Sequence, residues 1–259
     1  MNIFKGVNTR VYYTLLVLSI VATFSSFPYL LSLDPLVPNL ATQPPFELIM
    51  RMVIYAAIFA IIIFVGMKAA KPAGLSLKGL EGLTGNKTVN QAIGSYWLQS
   101  LVLGMVFALL VAVLELLCVV LFEISPIQAA IGGSISERIM AVFYDAINVE
   151  IVWRLFIMSV FTWIAVKLNK DKKLSSAGMW IVIIVTALLG GLLHLPTLSE
   201  SGMIDITPRL IVRVLAVSLI SNGLFGYLFW KNGLLSAMIA HFAYAFTLFV
   251  FLPILLMLA

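Results

Sequence analysis

Seven stretches of this sequence are long and almost free of charge: roughly residues 12–33, 48–67, 97–122, 142–166, 178–197, 210–230 and 234–257. An α-helix needs about 20 apolar residues to cross the ~30 Å hydrocarbon core of a bilayer. In lipid every backbone N–H and C=O must be satisfied internally, and a helix does this segment by segment. The pattern predicts an all-α, polytopic membrane protein with about seven spans, in a range of six to eight. Composition agrees. Of 259 residues, 62% are apolar and 10% charged, against about 25% charged in a soluble domain. So little polar sequence cannot cover a water-facing surface. Soluble enzymes, disordered tails and disulfide scaffolds are excluded. Residues 1–259 read as a single integral membrane domain, with no room for a second large soluble one. Cys118 is the only cysteine, so there is no intrachain disulfide and no cysteine-based zinc site.

The net charge of +5 does not point to nucleic acid, because the cations sit in loops. Lys5 and Arg10 precede the first span. Lys68, Lys71, Lys78 and Lys87 lie between the second and third, Lys167, Lys170, Lys172 and Lys173 between the fourth and fifth, and Lys231 between the sixth and seventh. Eleven of the sixteen cations thus fall in alternate loops. By the positive-inside rule the N-terminus is expected in the cytoplasm and the C-terminus outside. Arg138, Arg209 and Arg213 break the pattern, and an eighth or re-entrant element in 125–141 would also disturb it. The first span reads as an uncleaved anchor, since no small-x-small site follows its apolar run. The Gly-, Pro-, Ser- and Lys-bearing stretch 68–92 reads as a flexible connector.

The informative residues are the ionisable ones inside apolar spans: Arg51, Glu115, Asp145, Glu150, Arg154, His194 and His241. Each is costly in lipid, so each is either tightly paired or functional. Glu150 and Arg154 stand four apart in DAINVEIVWRLF, one turn apart on one helix face. A neutralising ion pair explains them; so does a carboxylate oriented by the arginine toward a polar cavity. His194, before Pro196, and His241, inside the last span, are the whole histidine inventory. A lone histidine on an apolar helix is most often a hydrogen-bonded core residue. Two of them with a buried carboxylate can activate a water and bind an oxyanion, or hold zinc with an open position. Spacing alone leaves these open, and no HExxH occurs.

The order Glu-x-x-x-Arg on one span, a histidine ending the next and a histidine inside a late span resembles the CPBP intramembrane peptidases. These are the CAAX-processing and bacteriocin self-immunity (Abi) proteins, whose signatures are EExxxR, FxxxH and HxxxN. The resemblance covers roughly residues 140–250, including GLFGYLFWKNGLLSAMIAH. Glu150 matches the second glutamate and Arg154 the arginine. His194 and His241 match the two motif histidines. Three positions depart from the pattern: Val149 stands for the first glutamate, Gly190 for the aromatic four before His194, and Ala245 for the asparagine four after His241.

The resemblance implies an intramembrane endopeptidase. Glu150 and His194 would activate water, Arg154 would orient the carboxylate and His241 would bind the oxyanion. The substrate would be a peptide or lipidated protein tail at the bilayer. Val149 and Ala245 remove half of each catalytic pair. Glu115 or Asp145 could supply a replacement carboxylate. The same departures suggest a second possibility, a family member that has lost catalysis and serves as a membrane binding or regulatory partner. A third is an ion-coupled transporter using Glu115, Glu150 and Arg154. No cofactor is expected. Members of the family have been described with and without a metal, and zinc here would need Glu150 or Glu115 beside the two histidines. Depth arithmetic places His194 nearer the outer end of its span than Glu150 or His241, unless that span is kinked or its boundary shifted.

Overall fold

A computed structural model describes residues 4–33, 44–83, 87–122, 134–200, 206–258. Among them there are helices and no strand. The chain runs α1 (Thr9–Leu33), α2 (Pro45–Ala70), the short α3 (Lys78–Leu83) and α4 (Lys87–Phe122). The fourth span, Ile135–Leu168, is composite: α5 (Ile135–Tyr144), π-helical turns at Asp145–Val149 and Ile151–Met158, then α6 (Ser159–Leu168). Next come α7 (Ser176–Glu200), α8 (Pro208–Asn232) and α9 (Leu234–Phe246). A third π stretch, Thr247–Phe251, leads into α10 (Leu252–Leu258). Each of the seven expected spans coincides with one of these helical units. Six of them, the exception being α1, qualify by length and composition as membrane-crossing among the described residues. The chain is an integral, multi-pass membrane protein.

Boundaries moved where capping chemistry sets them. The fourth span starts at Ile135 rather than near 142, because Ser134 and Glu137 close a capping box: the Ser134 Oγ accepts from the Glu137 N–H and the Glu137 carboxylate accepts from the Ser134 N–H at 2.6 Å. Residues 134–141 are therefore the capped first turns of this span. The rest of the re-entrant element considered for 125–141 lies largely outside the described residues. Likewise α7 runs to Glu200, a few residues beyond the expected end near 197. The connector 68–92 is more structured than expected. It carries α3 and the first turn of α4, held by Leu75 and Leu80 buried in the main core.

The helix bearing His241 lies at the centre. Of the 13 residues of α9, nine are buried, and α3, α4, α5, α8 and the first π stretch all pack on it. Its inward positions are small (Ser236, Ala237, Ala240, Ala243, Ala245). In lipid, small residues drive association because they let backbones approach closely. The approach is closest at Gly104 of α4. A Cβ there would run into the Ala240 carbonyl and come within 2.9 Å of the Ala243 Cβ. One turn away, Ser100 and Ser236 share a buried hydroxyl–hydroxyl bond of 2.7 Å. The outer surface is the opposite: Val53, Ile54, Ile58 and Ile61 of α2 and Val106, Leu110 and Val113 of α4 are exposed, as lipid-facing side chains should be. Gly104→Leu is expected to separate α4 from α9 at a cost of about 1–3 kcal/mol. A thermal unfolding series in detergent, with Val106→Leu on the lipid face as the neutral control, measures it.

Candidate active site

Glu150, Arg154 and His241 meet in the interior. Glu150 is completely buried, Arg154 is 3% exposed and His241 9%. Glu150 Oε1 lies 2.8 Å from His241 Nδ1. Glu150 Oε2 lies 3.3 Å from Arg154 Nε, without the alignment of a hydrogen bond, so that contact is Coulombic. The Arg154 Nη2 donates to the Asn222 side-chain oxygen at 2.8 Å and to the Asn222 carbonyl at 3.2 Å. Asn222 Nδ2 donates to Ser218 Oγ at 2.7 Å, and Ser218 donates to the Ala187 carbonyl at 2.7 Å. A continuous polar chain thus crosses from α9 through the fourth span to α8 and α7. Phe225 forms its apolar floor. Its ring stacks on His241 at 4.4 Å and lies 5.4 Å from the Arg154 guanidinium carbon, a cation–π distance.

The helix geometry here is not the simple α turn that the four-residue spacing implies. Both sides of Glu150 are π-helical, with i→i+5 hydrogen bonding that is rare and concentrated at functional sites. The Ser159 hydroxyl donates to the Arg154 carbonyl, five residues back, at 3.2 Å. Asn148 ties the first π stretch to α1, donating to Thr23 Oγ1 at 2.8 Å and to the Ser19 carbonyl at 3.3 Å.

The hydrogen-bonding pattern fixes the chemistry of His241. A carboxylate is an acceptor only, and Glu150 faces the Arg154 guanidinium through its other oxygen. Nδ1 of His241 must then carry the hydrogen, which leaves Nε2 of the neutral ring as a lone-pair acceptor. A carboxylate bonded to Nδ1 also stabilises the imidazolium formed when Nε2 takes a proton.

The other expected residues are placed differently. His194 is exposed, near the end of α7. It stands one turn beyond Gly190, about 6 Å further along α7, on roughly the same helix face. Gly190 itself abuts the site: a Cβ there would sit 3.3 Å from Asn222 Nδ2 and 3.8 Å from the Trp153 ring. Glu115 is engaged elsewhere, paired with Arg213, whose Nε donates to Oε1 at 3.0 Å and whose Nη2 donates to Oε2. Arg213, on the unexpected side of the charge pattern, is thereby neutralised between α4 and α8. Ala245 is fully buried and packs with Val142 and Val250. Val149 is half-buried. Among the described residues no three His, Cys, Asp or Glu side chains are grouped to hold a metal ion, and the guanidinium on Glu150 repels a second cation. The site does not fit a metal.

Asn222 is the main residue that sequence reasoning missed. Asparagine is unremarkable by charge, and it sits in SLISNGLFGYLF. Its one signal was the cost of an amide within an apolar span.

A multi-span helical protein with an interior carboxylate–imidazole–guanidinium constellation is the class that fold and site define. Residues 132–247 match the family described as type II CAAX prenyl endopeptidase Rce1-like, so the resemblance carried by the motifs holds over that stretch. The match spans Glu150, Arg154, His194 and His241 and supports a CAAX-type protease at the level of the family. No curated protein and no solved structure matches the chain.

Removing the Asn222 amide leaves the Arg154 Nη2 with one acceptor in place of two. Asn222→Ala should destabilise the protein by about 1–3 kcal/mol. Combined with Glu150→Gln, the losses should be non-additive, because both act through Arg154. Thermal unfolding of the two single variants and the double variant tests this coupling.

Proposed function

We propose that this protein is an intramembrane endopeptidase that hydrolyses a peptide bond close to the bilayer, with water activated by the Glu150–His241 pair. The observation that carries the proposal is the 2.8 Å contact between two buried groups, Glu150 Oε1 and His241 Nδ1. In this scheme His241 Nε2 takes a proton from water as the water oxygen attacks the carbonyl carbon. Glu150 stabilises the imidazolium, and Arg154 holds Glu150 in place. The imidazolium then gives its proton to the leaving amine as the C–N bond breaks. His194 is assigned the oxyanion: an exposed imidazole N–H can donate to the developing charge. The resemblance alone gives the two histidines the reverse roles. The tautomer imposed by Glu150 favours the assignment made here. The substrate is proposed to be the membrane-proximal tail of a peptide or protein, lipidated in the CAAX manner. The loop cations support an N-terminus on the cytoplasmic side.

One observation favours a second reading, a member that has lost catalysis and acts by binding. Ala245 stands where the resemblance calls for an asparagine, and its surroundings are apolar: Val142 and Val250, with Phe242 and Phe249 beside them. That environment suits alanine.

Proteolysis in liposomes separates the two. Wild type, Glu150→Gln, His241→Ala and His194→Ala are tested on a quenched farnesylated CAAX peptide and on its unlipidated counterpart, with unfolding temperatures matched. The expected result is cleavage by wild type. Loss of the base should lower kcat by about 10²–10⁴, and loss of the oxyanion donor by about 10²–10³. A silent wild type that gains activity with Val149→Glu plus Ala245→Asn would establish the lapsed scaffold instead.

A further inference from the structure

The resemblance asks for a carboxylate at position 149, where this chain has valine. Two other intramembrane carboxylates were candidates to stand in for it. The structure removes Glu115, which is held by Arg213 between α4 and α8. Asp145 is different. Five residues before Glu150, it would point about 140° away from it on an α-helix. The turn between them, Asp145–Val149, is π-helical. An i→i+5 turn holds more residues than an α turn, so the angle between Asp145 and Glu150 is narrower than on an α-helix. That π stretch packs on α9, the helix of His241, and Asp145 is within electrostatic reach of the His241 ring.

The state of the Asp145 side chain points the same way. It is half-buried in an apolar span, and no hydrogen bond or ion pair ties it to a described residue, unlike Glu150 and Glu115. A partly exposed carboxylate whose helical turn packs on the histidine's helix has its acceptor oxygens available to water. Neither Asp145 nor Glu150 donates, so the water's two hydrogens have two acceptors to choose from, the His241 Nε2 and the Asp145 carboxylate.

We propose that Asp145 is a catalytic residue that holds the nucleophilic water against His241, doing from one π turn away what a glutamate at position 149 would do. This deepens the endopeptidase reading and rests on it. One water hydrogen bonds to Nε2 and the other to the Asp145 carboxylate. On attack, the oxygen forms its bond to the carbonyl carbon and the first hydrogen passes to Nε2 as a proton. The second stays on the new gem-diolate hydroxyl, still bonded to Asp145. When the C–N bond breaks, the Nε2 proton leaves with the amine, and the acid product keeps the hydroxyl oxygen. No oxidant, reductant or metal enters the balance.

The test uses the full-length protein in liposomes and the farnesylated CAAX peptide. Asp145→Asn keeps the size of the side chain and one oxygen acceptor but loses the charge; Asp145→Ala loses both. The expected result is a fall in kcat of about 10² for Asn and more for Ala, with KM nearly unchanged and peptide binding retained. Val149→Glu in the Asp145→Ala background should recover at least about tenfold, which a merely structural role for Asp145 would not allow. Wild-type rates in Asp145→Asn, or a loss that Val149→Glu leaves untouched, would overturn the inference while leaving the endopeptidase intact. An Asp145→Asn variant that fails to fold shifts the decision to the Val149→Glu, Asp145→Ala pair. A wild type that cleaves nothing removes the endopeptidase reading, and the role of Asp145 falls with it.

Discussion

Burying a carboxylate completely within membrane-spanning helices is the demand around which this structure is built. An isolated ion costs many kcal/mol to remove from water, and the Glu150 carboxylate has no exposed surface at all. Three elements meet that demand together. The fourth span brings the Arg154 guanidinium to one carboxylate oxygen, α9 brings the His241 Nδ1 to the other, and α8 supplies Asn222 to keep the guanidinium from being stranded in its turn. None of these helices can move independently without breaking a polar contact in a medium that offers no substitute. The polar chain therefore specifies the packing as much as the packing protects the chain.

The apolar residues make such a chain affordable in space. Alanines and serines line the inner face of α9, and Gly104 brings α4 into backbone contact with it. His241 consequently sits at a fixed height between α4 and α8, its ring clamped by Phe225. Ridges of larger side chains would hold the helices farther apart, and an Nδ1–carboxylate distance of 2.8 Å would be lost with a shift of one ångström.

The spans were legible because lipid imposes a single rule, about 20 apolar residues per crossing, and six helices among the described residues obey it. Glu150, Arg154 and His241 were legible because charge inside such a run is conspicuous. The π turns were not, since an extra residue in one helical turn leaves the apolar run intact. A hint survived in the fourth span: on an α-helix Asp145 and Glu150 would put carboxylates on opposed faces, one of them toward lipid. Asn222 escaped because a neutral amide does not stand out by charge. The earlier start of the fourth span was readable in S-I-S-E at 134–137, a capping box that hydropathy windows ignore. His194 was legible as an ionisable residue closing an apolar run, but its exposure was not, since no local pattern encodes it.

Gly190 sets how closely α7 approaches the polar chain. A Cβ at this position would sit 3.3 Å from the Asn222 Nδ2 and 3.8 Å from the Trp153 ring. The amide that holds Arg154 therefore rests against bare backbone, and a bulkier side chain at 190 would press on it. A residue that touches neither the carboxylate nor the imidazole thus governs, through Asn222, how firmly the guanidinium is seated.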